Sequence, residues 1–194
     1  MDISAVDVSS MIGLVAMWLL TVNILLGLLI STRYNPVRQW PHKRINIFKL
    51  HNWNAYLALS VAVLHPGTLL LSKTAGFHLL DVLAPLHSPH QTFYNNLGAL
   101  TFYLLVFVVV TSYFRPRLGH KRWKPLHYAT SATAAVLFVH GILIDPNLKD
   151  QPTDFLDGEK LQGELCALLV IAGTVWRIRY GLKKRKAREV TALA

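Results

Sequence analysis

Four histidines stand in two pairs that have nearly the same spacing. His51 and His65 are 14 positions apart in one apolar segment, and His127 and His140 are 13 positions apart in another. A histidine within a membrane span is costly, so each one is a candidate for function. Two neutral imidazoles on facing helices can supply both axial ligands of a six-coordinate haem iron. The chemistry that this pattern indicates is therefore iron ligation by paired histidines.

The segments that carry these histidines belong to a chain suited to a lipid bilayer. Of its 194 residues, 53% are hydrophobic and only 15% are charged, which is unusual for a soluble domain. A helical span needs about 20 apolar residues. We predict an all-α integral membrane protein, a single domain over 1–194 built as a bundle of five transmembrane helices. The predicted spans are about 11–30, 53–71, 97–114, 126–144 and 165–180, and the second could begin as early as Ile47.

The charges of the connecting segments predict the orientation of this bundle. Seventeen of the 20 Lys and Arg residues lie in 33–49, 115–124 and 177–188, which fall on one side of a five-span bundle. Nine of the ten acidic residues fall on the other side. By the positive-inside rule the basic side is cytoplasmic, so we expect the N-terminus outside and the C-terminus in the cytoplasm. The net charge of +10 thus indicates topology and contact with anionic lipid headgroups rather than a nucleic acid partner.

The acidic start of the chain, MDISAVDVSS, argues against a cleaved signal peptide, which would begin with a positively charged region.

This topology sorts the four histidines by depth. Both histidine-bearing helices run from inside to outside, so His51 and His127 (the inner pair) lie near the cytoplasm. His65 and His140 (the outer pair) lie near the opposite face, about 20 Å away along the helices. We predict two haem b groups, one for each pair. The small side chains of ATSATAA (129–135) would leave room for a porphyrin.

Other interpretations of the same residues stay open. Histidines in membrane helices also serve as polar contacts or proton relays, as in a haem-free small transporter or assembly subunit, and small residues are common in ordinary helix packing. A spacing of 13 also turns an ideal helix by about 220°, so the fourth span must deviate or tilt between the haems, or the haems must approach it from different sides. A His-x-x-His spacing in HSPH (87–90) could bind a metal or line an acceptor site.

With these residues the chain resembles the ferric-reductase-like transmembrane domain. This domain is shared by NADPH oxidases, metalloreductases and the membrane subunit of a bacterial periplasmic methionine sulfoxide reductase system. The resemblance rests on the two histidine spacings and on RPRLGHKRWKPLHY (115–128), where Trp123 and His127 fit a W-x-x-L-H pattern. It covers about 11–180. It implies that His51 and His127 bind the inner haem iron and that His65 and His140 bind the outer one.

The resemblance also implies a function, that of a di-haem b-type membrane cytochrome. Such a chain is an electron-transfer subunit of an oxidoreductase complex rather than a complete enzyme. Family members with a fused flavin–nicotinamide domain carry it after the last span, where this sequence ends in KKRKAREVTALA. We therefore expect a separate donor, either a quinol or a cytoplasmic flavoprotein, and an extracytoplasmic redox protein as acceptor, in a bacterial inner (plasma) membrane. Electron flow in the opposite direction, and direct reduction of ferric iron or oxygen at the outer haem, stay open.

Overall fold

The described part of the chain is helical throughout. The computed structural model describes residues 4–36, 45–73, 75–145 and 153–193, and these contain no β-strand. Its helices are, in chain order, α1 (Ala5–Thr32), α2 (Ile47–Leu69), α3 (Leu79–Leu83), α4 (Thr92–Tyr113), α5 (Arg115–His127), α6 (Ala129–Leu143) and α7 (Gly158–Leu193), with a 3-10 turn at Pro85–His87.

Local sequence signals define where the first two helices begin. Ser4 caps α1, because its hydroxyl accepts from the backbone N–H of Asp7 at 3.1 Å while the Asp7 carboxylate accepts from the N–H of Ser4 at 2.9 Å. Asn46 caps α2 by accepting from the N–H of Lys49 at 3.1 Å. The second helix therefore begins at Ile47, as the early boundary predicted, and His51 lies in its second turn.

The length and apolar composition of the helices show that this is an integral membrane protein. By length and apolar composition, α1, α4 and α7 can each cross a membrane. The pair α5 and α6 also qualifies if it forms one span that is bent by 41°. The helix α2 does not qualify, because Lys49, His51, Asn52 and Asn54 make its first half polar. An all-α membrane fold is confirmed, whereas five spans and their orientation stay predictions.

Five of the helices pack as a group of three and a group of two, which touch each other less closely. Helix α1 packs along α2 and α7, and α4 packs along α6. The two histidine-bearing helices α2 and α6 make at most marginal contact with each other. Midway between the histidine levels the interior closes around Ala58 and Ala134, which are 0% and 8% exposed. The bundle therefore holds α2 and α6 apart at two levels and joins around small residues between those levels.

Candidate functional site: two facing histidine pairs

The structure brings the four predicted histidines together in the predicted combinations. His51 faces His127 with ring centroids 6.4 Å apart and ring planes at 77°. His65 faces His140, also at 6.4 Å, with planes at 68°. All four side chains are half-buried. The two levels thus repeat one arrangement, although the ligand role of these residues stays a prediction.

The separation of the rings suits one metal ion between them. A metal–imidazole nitrogen bond is about 2.0–2.1 Å long. In a five-membered ring with bonds of about 1.35 Å, each atom lies about 1.15 Å from the centroid. Two imidazoles on opposite sides of one ion therefore have centroids about 6.3 Å apart. An edge-to-face ring pair without an ion can have a similar separation, at about 4.5–7 Å, so the distance fits iron but does not require it.

The hydrogen bonds of three histidines leave the correct nitrogen available for a metal. Nδ1 of His65 lies 2.8 Å from the carbonyl oxygen of Ser9, and Nδ1 of His140 lies 2.8 Å from that of Tyr94. Nδ1 of His51 lies 3.0 Å from the carbonyl oxygen of Asn23. Because a carbonyl oxygen can only accept, each Nδ1 carries the proton and donates it. The lone pair on Nε2 is then free, which is the usual arrangement of a metal-binding histidine.

His127 is held differently, by side chains. Its ring stacks on that of Trp123 with centroids 4.6 Å apart and planes at 27°. Its Nδ1 lies 3.3 Å from the hydroxyl oxygen of Ser112, which also accepts from the indole N–H of Trp123 at 3.3 Å. The guanidinium of Arg115 also contacts Trp123 and lies 4.4 Å from the centroid of its ring. The position of this ring therefore depends on a polar and aromatic cluster at the end of α4 and in α5.

A bend in the chain accommodates the 13-residue spacing. Helix α5 ends at His127 and α6 begins at Ala129, with an angle of 41° between the two. Of the alternatives that the spacing left open, the structure has a local deviation, placed directly after the first histidine. His127 and His140 both face histidines of α2, which the 13-residue spacing of an ideal straight helix would not allow. Helix α5 has a second deviation at Gly119, where the backbone is non-helical (φ 72°, ψ 158°).

Three glycines that the sequence interpretation did not single out lie against the histidine rings. Gly13 and Gly27 of α1 face His65 and His51, and Gly98 of α4 faces His140. A signal for two of them exists in the sequence, because Gly13 and Gly27 are 14 positions apart, as are His51 and His65. In two antiparallel helices, equal spacings bring both members of each set into register.

A cavity of about 380 Å³ surrounds the outer pair. This is within the usual range of about 300–1,000 Å³ for ligand pockets. Its walls are mostly apolar and come from α1, α2, α4 and α6, and α3 lies over it. Charged residues also line it: Lys160, only 4% exposed, donates to the carbonyl oxygen of Ile144, and Asp81 and Glu159 belong to the lining. The outer pair therefore lies in a mostly apolar pocket that also has charged residues in its walls.

The remaining histidines do not form a metal site within the part of the chain that the structure describes. There, no group of three or more His, Cys, Asp or Glu side chains converges. His78 lies 3.3 Å from Asp81, and the ring of His90 contacts that of Phe77. The His-x-x-His spacing of the outer connection thus brings no third protein ligand to His87 and His90.

One comparison with known proteins gave a match. A family model described as the ferric reductase like transmembrane component matches residues 12–139. The matched segment contains the inner pair and His65 and ends one residue before His140. Comparison with curated proteins and with solved structures gave no match.

Proposed function

Because the chain belongs to the ferric-reductase-like transmembrane family, a generally haem-binding family, we propose that it is a di-haem b-type cytochrome that carries electrons across the membrane. His51 and His127 hold the inner haem iron, and His65 and His140 hold the outer one. When bound, haem supplies an iron centre that accepts and gives up one electron at a time. The chain contributes the ligands, their orientation and an apolar enclosure.

The single observation that carries this proposal is the repetition of one arrangement at two depths. Both pairs have centroids 6.4 Å apart, and three of the four rings donate from Nδ1 to a backbone carbonyl. Histidines that serve only as contacts between helices can also form edge-to-face pairs at this distance, but such contacts do not require three rings to donate from Nδ1 and keep Nε2 available. Proton relays would place them in a continuous row, whereas here Ala58 and Ala134 close the interior between the levels.

The charges of the chain support an orientation and two kinds of partner. The basic segments between the spans would face the cytoplasm, where a flavoprotein or a quinol near the inner pair would donate electrons. The acidic outer connections would face an extracytoplasmic redox protein that accepts them. We propose this direction for a chain in a bacterial inner membrane, as the electron-transfer subunit of an oxidoreductase complex.

A reduced-minus-oxidised absorbance spectrum of the purified protein tests the proposal, with haem quantified per chain. We expect b-type bands and two haems per chain. One haem per chain would mean that only one of the two histidine pairs binds haem. A colourless protein would overturn the proposal in favour of a haem-free transporter or assembly subunit.

A further inference from the structure

Each of three histidine rings lies against a glycine of the neighbouring helix. A Cβ atom built on Gly98 would lie 2.8 Å from Cε1 of His140, and one built on Gly13 would lie 2.9 Å from Cε1 and Nδ1 of His65. Real Cβ atoms essentially never approach so closely, so the imidazole would have to move. At Gly27 the same atom would lie 3.5 Å from Cε1 of His51, an ordinary contact.

The carbonyl that accepts from each ring lies four residues before the glycine. Ser9 precedes Gly13, Asn23 precedes Gly27 and Tyr94 precedes Gly98 by the same interval. In an α-helix the carbonyl of residue i accepts from the N–H of residue i+4, here the glycine itself. The Cα–Cβ bond points toward the N-terminus of its helix, so a side chain at i+4 would extend toward this carbonyl. The missing Cβ therefore opens the path by which the imidazole reaches the oxygen.

We infer that Gly13, Gly27 and Gly98 are positioning residues for three of the haem ligands, an inference that rests on the proposed function. By giving Nδ1–H access to a backbone carbonyl, each glycine keeps the proton on Nδ1 and directs Nε2 toward the opposite ring. A strong hydrogen bond from Nδ1 also makes the imidazole a more basic ligand. The glycines thus set both the orientation of the ring and its donor strength.

The simpler explanation is that these glycines only allow close helix packing, which is common in membrane proteins. The chain offers a matched control for it. A Cβ built on Gly173 would lie 3.0 Å from Leu28 and 3.1 Å from Leu25, so this position is also crowded, but by leucines alone. A Cβ built on Gly181, also in α7, would lie 3.6 Å from the side chain of Arg177, an ordinary contact, so this position controls for the change of residue itself.

The experiment compares Gly13→Ala, Gly98→Ala and the controls Gly173→Ala and Gly181→Ala in the full-length haem-loaded protein. The readouts are the reduction potential of each haem and the low-spin EPR g values, which depend on the orientation of the axial imidazoles. We expect Gly13→Ala and Gly98→Ala to alter the g values of the same haem and to move its potential to more positive values. The direction follows because a less basic ligand stabilises ferric iron less. The other haem should not change.

The controls decide between positioning and packing. Gly173→Ala should alter only the packing of α7 against α1 and leave both haem signals unchanged, and Gly181→Ala should also leave both haem signals unchanged. Equal haem shifts in Gly173→Ala, or none in Gly13→Ala and Gly98→Ala, would overturn the inference. If these two variants do not fold, Gly27→Val tests the less crowded position, and it must alter the inner haem alone.

A second readout separates this inference from the proposed function. Nitrogen NMR of labelled histidine reports which ring nitrogen carries the proton, with or without haem. If the wild-type protein contains no haem, the proposed function fails, and so does the ligand role of the glycines. The hydrogen bond itself is still testable there: Nδ1 of His65 should be protonated in the wild type, and Gly13→Ala should perturb its signal.

Discussion

The inner and outer pairs share one ring separation, but they are held by different means. In the outer pair both imidazoles donate to backbone carbonyls at 2.8 Å, and both lie against a glycine with almost no free space. In the inner pair only His51 has this arrangement, and its glycine contact is looser. His127 depends instead on Trp123 and Ser112.

This difference indicates which substitutions each level can tolerate. A backbone carbonyl cannot be removed by mutation, so the outer pair should respond most to its ligands and its glycines, with a smaller response to Ser9, whose hydroxyl lies 3.2 Å from Nδ1 of His65. The inner pair should respond to changes in side chains that do not touch the metal, because side chains orient His127.

The largest effect is expected from removing a ligand. His140→Ala should halve the haem content and abolish the outer haem signal, because one imidazole cannot form the six-coordinate centre. The inner haem should keep its potential, since its ligands belong to the other level. Haem quantification and redox titration measure both. His90→Ala, in the outer connection, is the control and should retain two haems; loss of both haems in His140→Ala would show that the two levels are not independent.

The next largest effect is expected at Trp123, which supports the inner pair. Stacked aromatic pairs contribute about 0.5–1.5 kcal/mol, so Trp123→Ala should weaken retention of the inner haem by about two- to tenfold. The haem that remains per chain after extended dilution in detergent measures this. Trp123→Phe keeps a stacking face and should retain most of the haem. An outer haem that was lost equally fast would contradict the separation of the two levels.

A smaller effect is expected at the amide that ties α1 to α2 near the inner pair. The side-chain amide of Asn54 donates to the carbonyl oxygen of Leu19 at 2.7 Å and to the Asn23 side chain at 3.3 Å. Asn54→Ala should lower the free energy of unfolding by about 0.6–1.5 kcal/mol, as for other hydrogen bonds between membrane helices. Thermal unfolding measures the loss. Asn52→Ala removes an exposed amide two residues before Asn54 and should have little effect on the unfolding temperature.

The smallest effect is expected at Ser112. Both of its hydrogen bonds in the His127 cluster are long, at 3.3 Å. Ser112→Ala should therefore lower the free energy of unfolding by about 0.5 kcal/mol or less. The expected result is a small change in the EPR signal of the inner haem alone. Thr111→Val, which removes a neighbouring hydroxyl that donates within α4, should leave the signal unchanged. A change in the outer haem would mean that Ser112 does not act through His127.

The elements that the sequence could predict are those that depend on local periodicity. Apolar runs predicted most of the membrane helices, and the common direction expected for the two histidine-bearing helices predicted which rings face each other. The stacking of Trp123 on His127 could have been added, because residues four apart lie on the same face of a helix.

The elements that could not be predicted depend on how the helices lie against one another. The 13-residue spacing required some deviation, and Pro125, inside α5, indicated a break near Tyr128, but not the angle that helix packing gives it. The contact of Gly98 with His140 depends on the pairing of α4 with α6, which has no repeated spacing to reveal it. The carbonyl acceptors are backbone atoms, and their residue types, Ser9, Asn23 and Tyr94, therefore have nothing in common.

The matched spacing of Gly13 and Gly27 with His51 and His65 restricts how the chain can change in length. Deleting one residue between the two glycines would turn one of them by about 100° away from its histidine. Only a deletion between the two histidines of α2 would restore both contacts, so insertions and deletions in these helices have to occur together. Helix α4 is restricted too, because Gly98 contacts His140 at one level and Ser112 contacts His127 at the other. Natural variation in length should therefore concentrate in the connections between the helices, while α1 and α2 keep their lengths or change together.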